Sequence, residues 1–102
     1  MLETRLTKLL GCRYPIVQTA MGWVADPKLV SASCNAGAIG FLAGATIPAD
    51  KVEANIQELK SLTDRPFGIN FHMYQPNAED IVDLVVSYKI AAVSYSRSPG
   101  KD

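Results

Sequence analysis

The chain has 102 residues, 48% of them hydrophobic and 20% charged, with a formal net charge of zero. That length allows one domain at most, and the charge balance argues against nucleic acid, an anionic membrane surface or a polyacidic partner. No apolar run approaches the ~20 residues that cross a bilayer, and the charges interleaved with leucines in "MLETRLTKLLGCRYP" exclude a secretory signal.

The first run that reads as a buried strand is "YPIVQ" (14–18). A helix follows, opened by Asp26-Pro27, a capping residue with proline at the first helical position. It closes at Asn35-Ala36-Gly37, where Gly37 can take the left-handed conformation. The second strand is "AIGFLA" (38–43). The second helix, "PADKVEANIQELKSL", sets Val52, Ile56 and Leu59 on one face and its charges elsewhere. The third strand is "FGINF" (67–71). The third helix opens at Asn77 with Asp80 as a variant capping box, and it turns Ile81, Leu84 and Val85 inward. The fourth strand is "AAVSYS" (91–96).

Each strand run is nearly continuous in small or apolar residues, which suits parallel strands covered on both faces. The order is βαβαβαβ with the spacing of βαβ units, and no Asn-Gly or Asp-Gly hairpin signal interrupts it. The class is therefore α/β with a parallel sheet. After the fourth run, "SRSPGKD" reads as a loop leading into another helix. A doubly wound domain needs at least one more strand, and a closed eight-strand barrel about twice this length. The expectation is a fragment, truncated after its fourth strand.

Three blocks carry a resemblance: "YPIVQTAMGWVADPKLVSASCNAGAIGFLAGAT", "LTDRPFGINF" and the closing "SPGKD". In order and spacing they resemble the start of a nitronate monooxygenase-like flavoprotein, a family formerly called 2-nitropropane dioxygenase that includes FMN-dependent enoyl-acyl-carrier-protein reductases. The resemblance implies that residues 1–102 are the N-terminal half of a flavin-binding TIM barrel, about four of its eight βα units. It implies an FMN-dependent oxidoreductase or monooxygenase as the parent, with this portion inactive alone. The substrates it implies are small molecules: a nitronate, NAD(P)H or an acyl thioester. The wording "QTAMGWVA…LVSASCNAGAIG" is most similar to a branch associated with CoA-thioester substrates. The expected compartment is the cytoplasm, and homo-oligomerisation is left open.

In such barrels ligands lie on the loops at the C-terminal ends of the strands. Ala20 and Gly22, with almost no side chain, let backbone approach a flat ligand closely, and Met21 is polarizable and packs against ring faces. Asn70, near the end of the third strand, offers the donors and acceptors a flavin edge needs. Read from the residues alone, the same features also suit tight packing and a loop cap. The resemblance implies that Ala20, Met21, Gly22 and Asn70 contact FMN.

His72 lies on the same strand face as Asn70 by alternation, but the family's important histidine belongs to a segment beyond Asp102. His72 is expected to line the pocket or face solvent, and no catalytic residue is assigned. Trp23 suits either a roof over the site or a packed indole. Cys12 and Cys34 form no CxxC pair and read as buried reduced thiols. No metal-ligand cluster or Walker-type phosphate loop is present, and the barrel's phosphate cradle belongs to strands seven and eight. The alternative reading, from a different class, is a self-contained α/β binding or assembly module that oligomerises to cover its open sheet edge.

Overall fold

A computed structural model of the chain describes residues 3–73 and 75–96; the "SPGKD" loop lies outside the described residues. Parallel strands form where the apolar runs are, but the first is shorter than its run. β1 is Val17–Gln18, because Pro15 has no N–H to give a ladder and Ile16 N instead donates to Tyr14 O at 2.8 Å. β2 is Ile39–Ala43, β3 Gly68–His72 and β4 Ala92–Ser96. Each pairs in parallel with the next, in the order β1-β2-β3-β4. Every crossover therefore steps the same way, without the reversal that defines a doubly wound sheet.

The helices between them cover one face. α2, Pro27–Asn35, begins as expected: Asp26 is the N-cap and its Oδ1 accepts from Leu29 N at 2.9 Å. It ends at Gly37, whose φ of 107 only glycine adopts without strain. There Gly37 N bonds back to Cys34 O and Ala38 N to Ser33 O, closing the last carbonyls. α3, Val52–Leu62, buries Val52, Ile56 and Leu59. The "ADK" that precedes it forms a separate 3-10 turn, Ala49–Lys51, capped by Pro48, rather than its first residues. α4, Ala78–Ser87, buries Ile81, with Leu84 and Val85 packed against the core.

Two local features differ from expectation. The capping box at Asn77 does not form, because the Asn77 side chain makes no cap bond and its Oδ1 accepts from Gln75 Nε2. An additional helix, α1, spans Arg5–Leu10. Here a threonine pair does make a capping box: Thr4 Oγ1 accepts from Thr7 N and Thr7 Oγ1 accepts from Thr4 N.

Strand register sorts the side chains into two faces. Leu42, Ile69 and Val93 stand side by side, with Phe71 beside Tyr95. Leu42, Ile69 and Phe71 join Val30, Cys34, Val52, Ile56, Leu59 and Ile81 in one buried cluster, so this is the helix-covered face. The other face carries Phe41, Gly68 and Ala92 in one row and Ala43, Asn70 and Ser94 in the next. A Cβ on Gly68 would lie 2.4 Å from the Phe41 ring, so the glycine makes room for that ring across the strand pair. At the flanks, Val17, Val93 and Tyr95 are 42%, 44% and 49% exposed. Both thiols are free, but only Cys34 is buried, and Cys12 is half-buried because it lies in the turn after α1. Among the described residues no helix is long and apolar enough to cross a membrane.

Candidate functional site

The C-terminal ends of β1, β2 and β3 meet in one ledge, assembled from backbone as much as side chain. The chain leaving β1 folds back over β2: Ala43 N donates to Ala25 O at 3.1 Å. Within that loop Met21 O accepts from both Val24 N and Ala25 N, which turns the chain in one short step. The turn holds Trp23 at φ 60, a left-handed conformation that is costly for a bulky residue and concentrates at ligand-handling loops.

A clasp fixes the loop to its neighbour. Thr46 Oγ1, in the 3-10 turn Gly44–Thr46, accepts from Trp23 N at 3.1 Å and donates to Ala43 O at 3.2 Å. The approach is close enough that a Cβ on Gly22 would lie 3.0 Å from Thr46 Cγ2. The same turn presses on β3, where a Cβ on Gly44 would lie 2.6 Å from the Asn70 carbonyl oxygen. Gly22, Thr46, Gly44 and Asn70 are therefore successive contacts along one surface. Glycine at 44 is a steric requirement of that surface, and a side chain at 22 would make a tight contact with Thr46.

Of the four residues singled out from sequence, three lie together in the loop after β1. Ala20 is half-buried against the core, Gly22 is exposed, and Met21 is 43% exposed. A thioether left open to that extent is available to a ligand face. The fourth, Asn70, is half-buried on the ledge. Its Nδ2 donates to Ser94 Oγ at 2.8 Å and to Ser94 O at 3.2 Å. The amide nitrogen is thus engaged across the β3–β4 pair, and the oxygen Oδ1, which makes no hydrogen bond among the described residues, is left as an acceptor. Ser94 is a partner that sequence reasoning missed. Its signal is the strand register, which pairs positions far apart in the chain.

His72 closes β3 on the face of Asn70 and is exposed. Its backbone N–H donates to Gln75 Oε1 at 2.7 Å, so the turn after β3 is tied down while the imidazole stays in solvent. Trp23 is 87% exposed and packs in no core. Cys34 is a packed thiol, with Sγ accepting from Gly40 N at 3.4 Å. Burial pushes its pKa up, and that Gly40 bond opposes the rise. Gln18 Oε1 is a buried oxygen without a hydrogen-bond partner among the described residues. It lies beside Gly40 and Val30, on the α2 side of the sheet and away from Asn70. No group of three or more histidine, cysteine or acidic residues suited to a metal exists among the described residues.

The ledge is small, neutral and flat, with one amide acceptor left open, which fits the edge and face of an aromatic ring system. Among the described residues no Asp, Glu, Lys or Arg shares it with Asn70, and His72 stands at its edge on the same strand face. What it can do chemically is bind and orient a planar group.

Comparison with known proteins gives the family context of the chain. The family model described as nitronate monooxygenase matches residues 3–97. A hydroxy-methyl-oxo-octahydroindene-carboxyl-CoA dehydrogenase of Mycobacterium tuberculosis is 44% identical over 98 residues, covering 96% of this chain and 28% of that protein. A nitronate monooxygenase of Pseudomonas aeruginosa is 41% identical over 76 residues, covering 74% of this chain and 22% of that protein. Among solved structures, FabK from Thermotoga maritima superposes with a TM-score of 0.90 at 32% identity, over 96% of this chain and 32% of that one. The chain thus spans less than a third of the length of these relatives.

Proposed function

The chain belongs to the nitronate monooxygenase family, and from that membership we propose that residues 1–102 form the N-terminal half, about four βα units, of an FMN-dependent oxidoreductase barrel. The observation that carries the proposal is the ledge at the C-terminal strand ends, where Met21 is open and Asn70 is held through its Nδ2 by Ser94, its oxygen making no hydrogen bond among the described residues. When bound, FMN supplies the capacity to take up and return electrons. The residues of this chain bind and orient its ring: Ala20 and Gly22 admit the ring to the backbone, Met21 packs on its face, and Asn70 Oδ1 accepts from a ring N–H. The fixed amide orientation, set by the two bonds to Ser94, presents one acceptor without reorganisation.

The acid or base for proton transfer is expected outside this segment: His72, on the face of Asn70, is exposed, and the family resemblance puts its histidine beyond Asp102. Among the family's chemistries, redox transformation of a CoA thioester is favoured. Relatives named as indene-carboxyl-CoA dehydrogenases match 96% and 99% of the chain at 44% and 41% identity. The named nitronate monooxygenase of Pseudomonas aeruginosa matches 74% of it.

The test is the visible spectrum of the whole purified protein. A yellow protein that releases FMN on denaturation and whose bound flavin is reduced or reoxidised by a CoA thioester is the expected outcome. A colourless protein that takes up no FMN on reconstitution overturns the reading and returns the chain to the binding-module alternative.

A further inference from the structure

We infer that the cleft beside Trp23 receives the adenine ring of a nucleotide-bearing co-substrate. The inference rests on the flavoenzyme reading above and adds a seat for the co-substrate's non-reacting end. The cleft has a volume of about 200 Å³ and is bounded by Trp23, Asp26, Ala43, Ile47, Pro48 and Asn55. Pockets that enclose a whole drug-sized ligand run from about 300 to 1,000 Å³, so this one holds a part of a ligand, on the scale of one ring system.

Its walls describe that ring. Ala43, Ile47 and Pro48 are apolar, and Trp23 stands at the rim, 87% exposed. An indole that open among the described residues and held at φ 60 gains nothing from their packing and carries backbone strain. The clasp from Trp23 N to Thr46 Oγ1 at 3.1 Å fixes the backbone that presents it. A fixed, open π face beside an apolar slot suits stacking of a flat group.

Of the polar side chains that line the cleft, Trp23, Asp26, Thr46 and Asn55, only Asp26 is restricted to accepting. Asp26 engages one carboxylate oxygen as the α2 cap, with Leu29 N at 2.9 Å, and keeps the other. Asn55 uses one N–H of its Nδ2 on Lys51 O at 2.8 Å and keeps its other N–H and its amide oxygen. Beside the free Asp26 oxygen an occupant is therefore favoured when it brings an N–H donor on a planar ring, and the exocyclic amino group of adenine does so. A keto-purine brings an oxygen acceptor to the same place and is disfavoured. CoA thioesters and NAD(P)H share the adenine end, so the cleft accepts that chemistry from either source. Ala43 stands in register with Asn70, so a ligand seated by its base here has its remainder within reach of the ledge.

The experiment titrates the whole flavin-loaded protein calorimetrically with adenosine diphosphate, and then with inosine diphosphate. Adenosine diphosphate is expected to bind, and inosine diphosphate to bind markedly more weakly. Trp23→Ala should weaken adenosine diphosphate by about tenfold, the scale of one base–aromatic stack, and Trp23→Phe should restore most of it. Asp26→Asn keeps a good helix cap but can turn a donor toward the base, and it should narrow the preference for adenosine over inosine. Displacement of the bound nucleotide by CoA, by NADPH or by both identifies the source. Equal affinity of the two nucleotides, or an unchanged affinity in Trp23→Ala, overturns the inference. Flavin absorbance recorded on the same samples separates the two readings: a yellow protein that fails the nucleotide test sinks only the cleft, and a colourless one sinks the flavoenzyme.

Discussion

Replacing Asn70 with leucine keeps nearly the same volume and deletes both halves of the amide, and the structure divides the cost between them. The nitrogen half makes the bonds to Ser94 Oγ at 2.8 Å and Ser94 O at 3.2 Å. A net contribution of about 0.5–1.5 kcal/mol for each, at a half-buried position, gives a loss of folding stability of about 1–2 kcal/mol. The oxygen half takes no part in that tether, so its loss falls on the cofactor. One acceptor left out of a flavin contact costs about 1–3 kcal/mol, which is roughly tenfold to hundredfold in FMN affinity. Ser94→Ala is the control, because it removes the hydroxyl partner and leaves the Asn70 oxygen in place. The assay is FMN dissociation from the whole protein, followed by flavin fluorescence on dilution, beside thermal melting of each variant. Both variants should melt earlier, and only Asn70→Leu should release FMN much faster or shift the flavin potential. Unchanged FMN retention and potential in Asn70→Leu, or equal flavin loss in Ser94→Ala, would refute the reasoning and leave Asn70 as a strand tether.

Gly68→Ala places a Cβ 2.4 Å from the Phe41 ring and should cost about 1–3 kcal/mol by overpacking; adding Phe41→Leu should recover much of it, and a second substitution that merely adds to the loss would contradict the packing described. Burial raises the Cys34 pKa above its ordinary 9.0, so the thiol's contribution to stability is complete below that value and is lost as pH rises through the folded one. Urea midpoints should therefore fall more steeply above about pH 9 in the native protein than in Cys34→Ala, and parallel curves would contradict the assignment. Residues 1–102 expressed alone should be oligomeric or molten and bind no FMN appreciably, because Val17, Val93 and Tyr95 are left open at the sheet flanks; a monomer with micromolar FMN affinity in sedimentation and fluorescence titrations would refute this.

How much of this was legible in the residues depended on the range of the interaction. The strands and α2 to α4 are announced locally: continuous apolar runs mark the strands, Asp26-Pro27 starts α2, and the Val52, Ile56, Leu59 spacing orients α3. Short elements escaped. α1 has only six residues and depends on a Thr4–Thr7 cap, a weaker signature than a threonine followed by glutamate. Asn77 and Asp80 looked like such a cap, yet Gln75 competes successfully for the Asn77 side chain. At the site, the small size of Ala20 and Gly22 and the amide of Asn70 could be read from their types, but a role toward FMN came only from the family resemblance. The Ser94 tether, the Thr46 clasp and the left-handed Trp23 could not, because each depends on segments brought together only by folding.

The most direct measurement of the central claim is an experimental structure of the whole protein with FMN bound. The account predicts the flavin ring against Ala20, Met21 and Gly22, with Asn70 Oδ1 within hydrogen-bonding distance of a ring nitrogen. A ring seated elsewhere, for example at the opposite end of the sheet in the cleft between Lys60, Arg65 and Lys89, would contradict it.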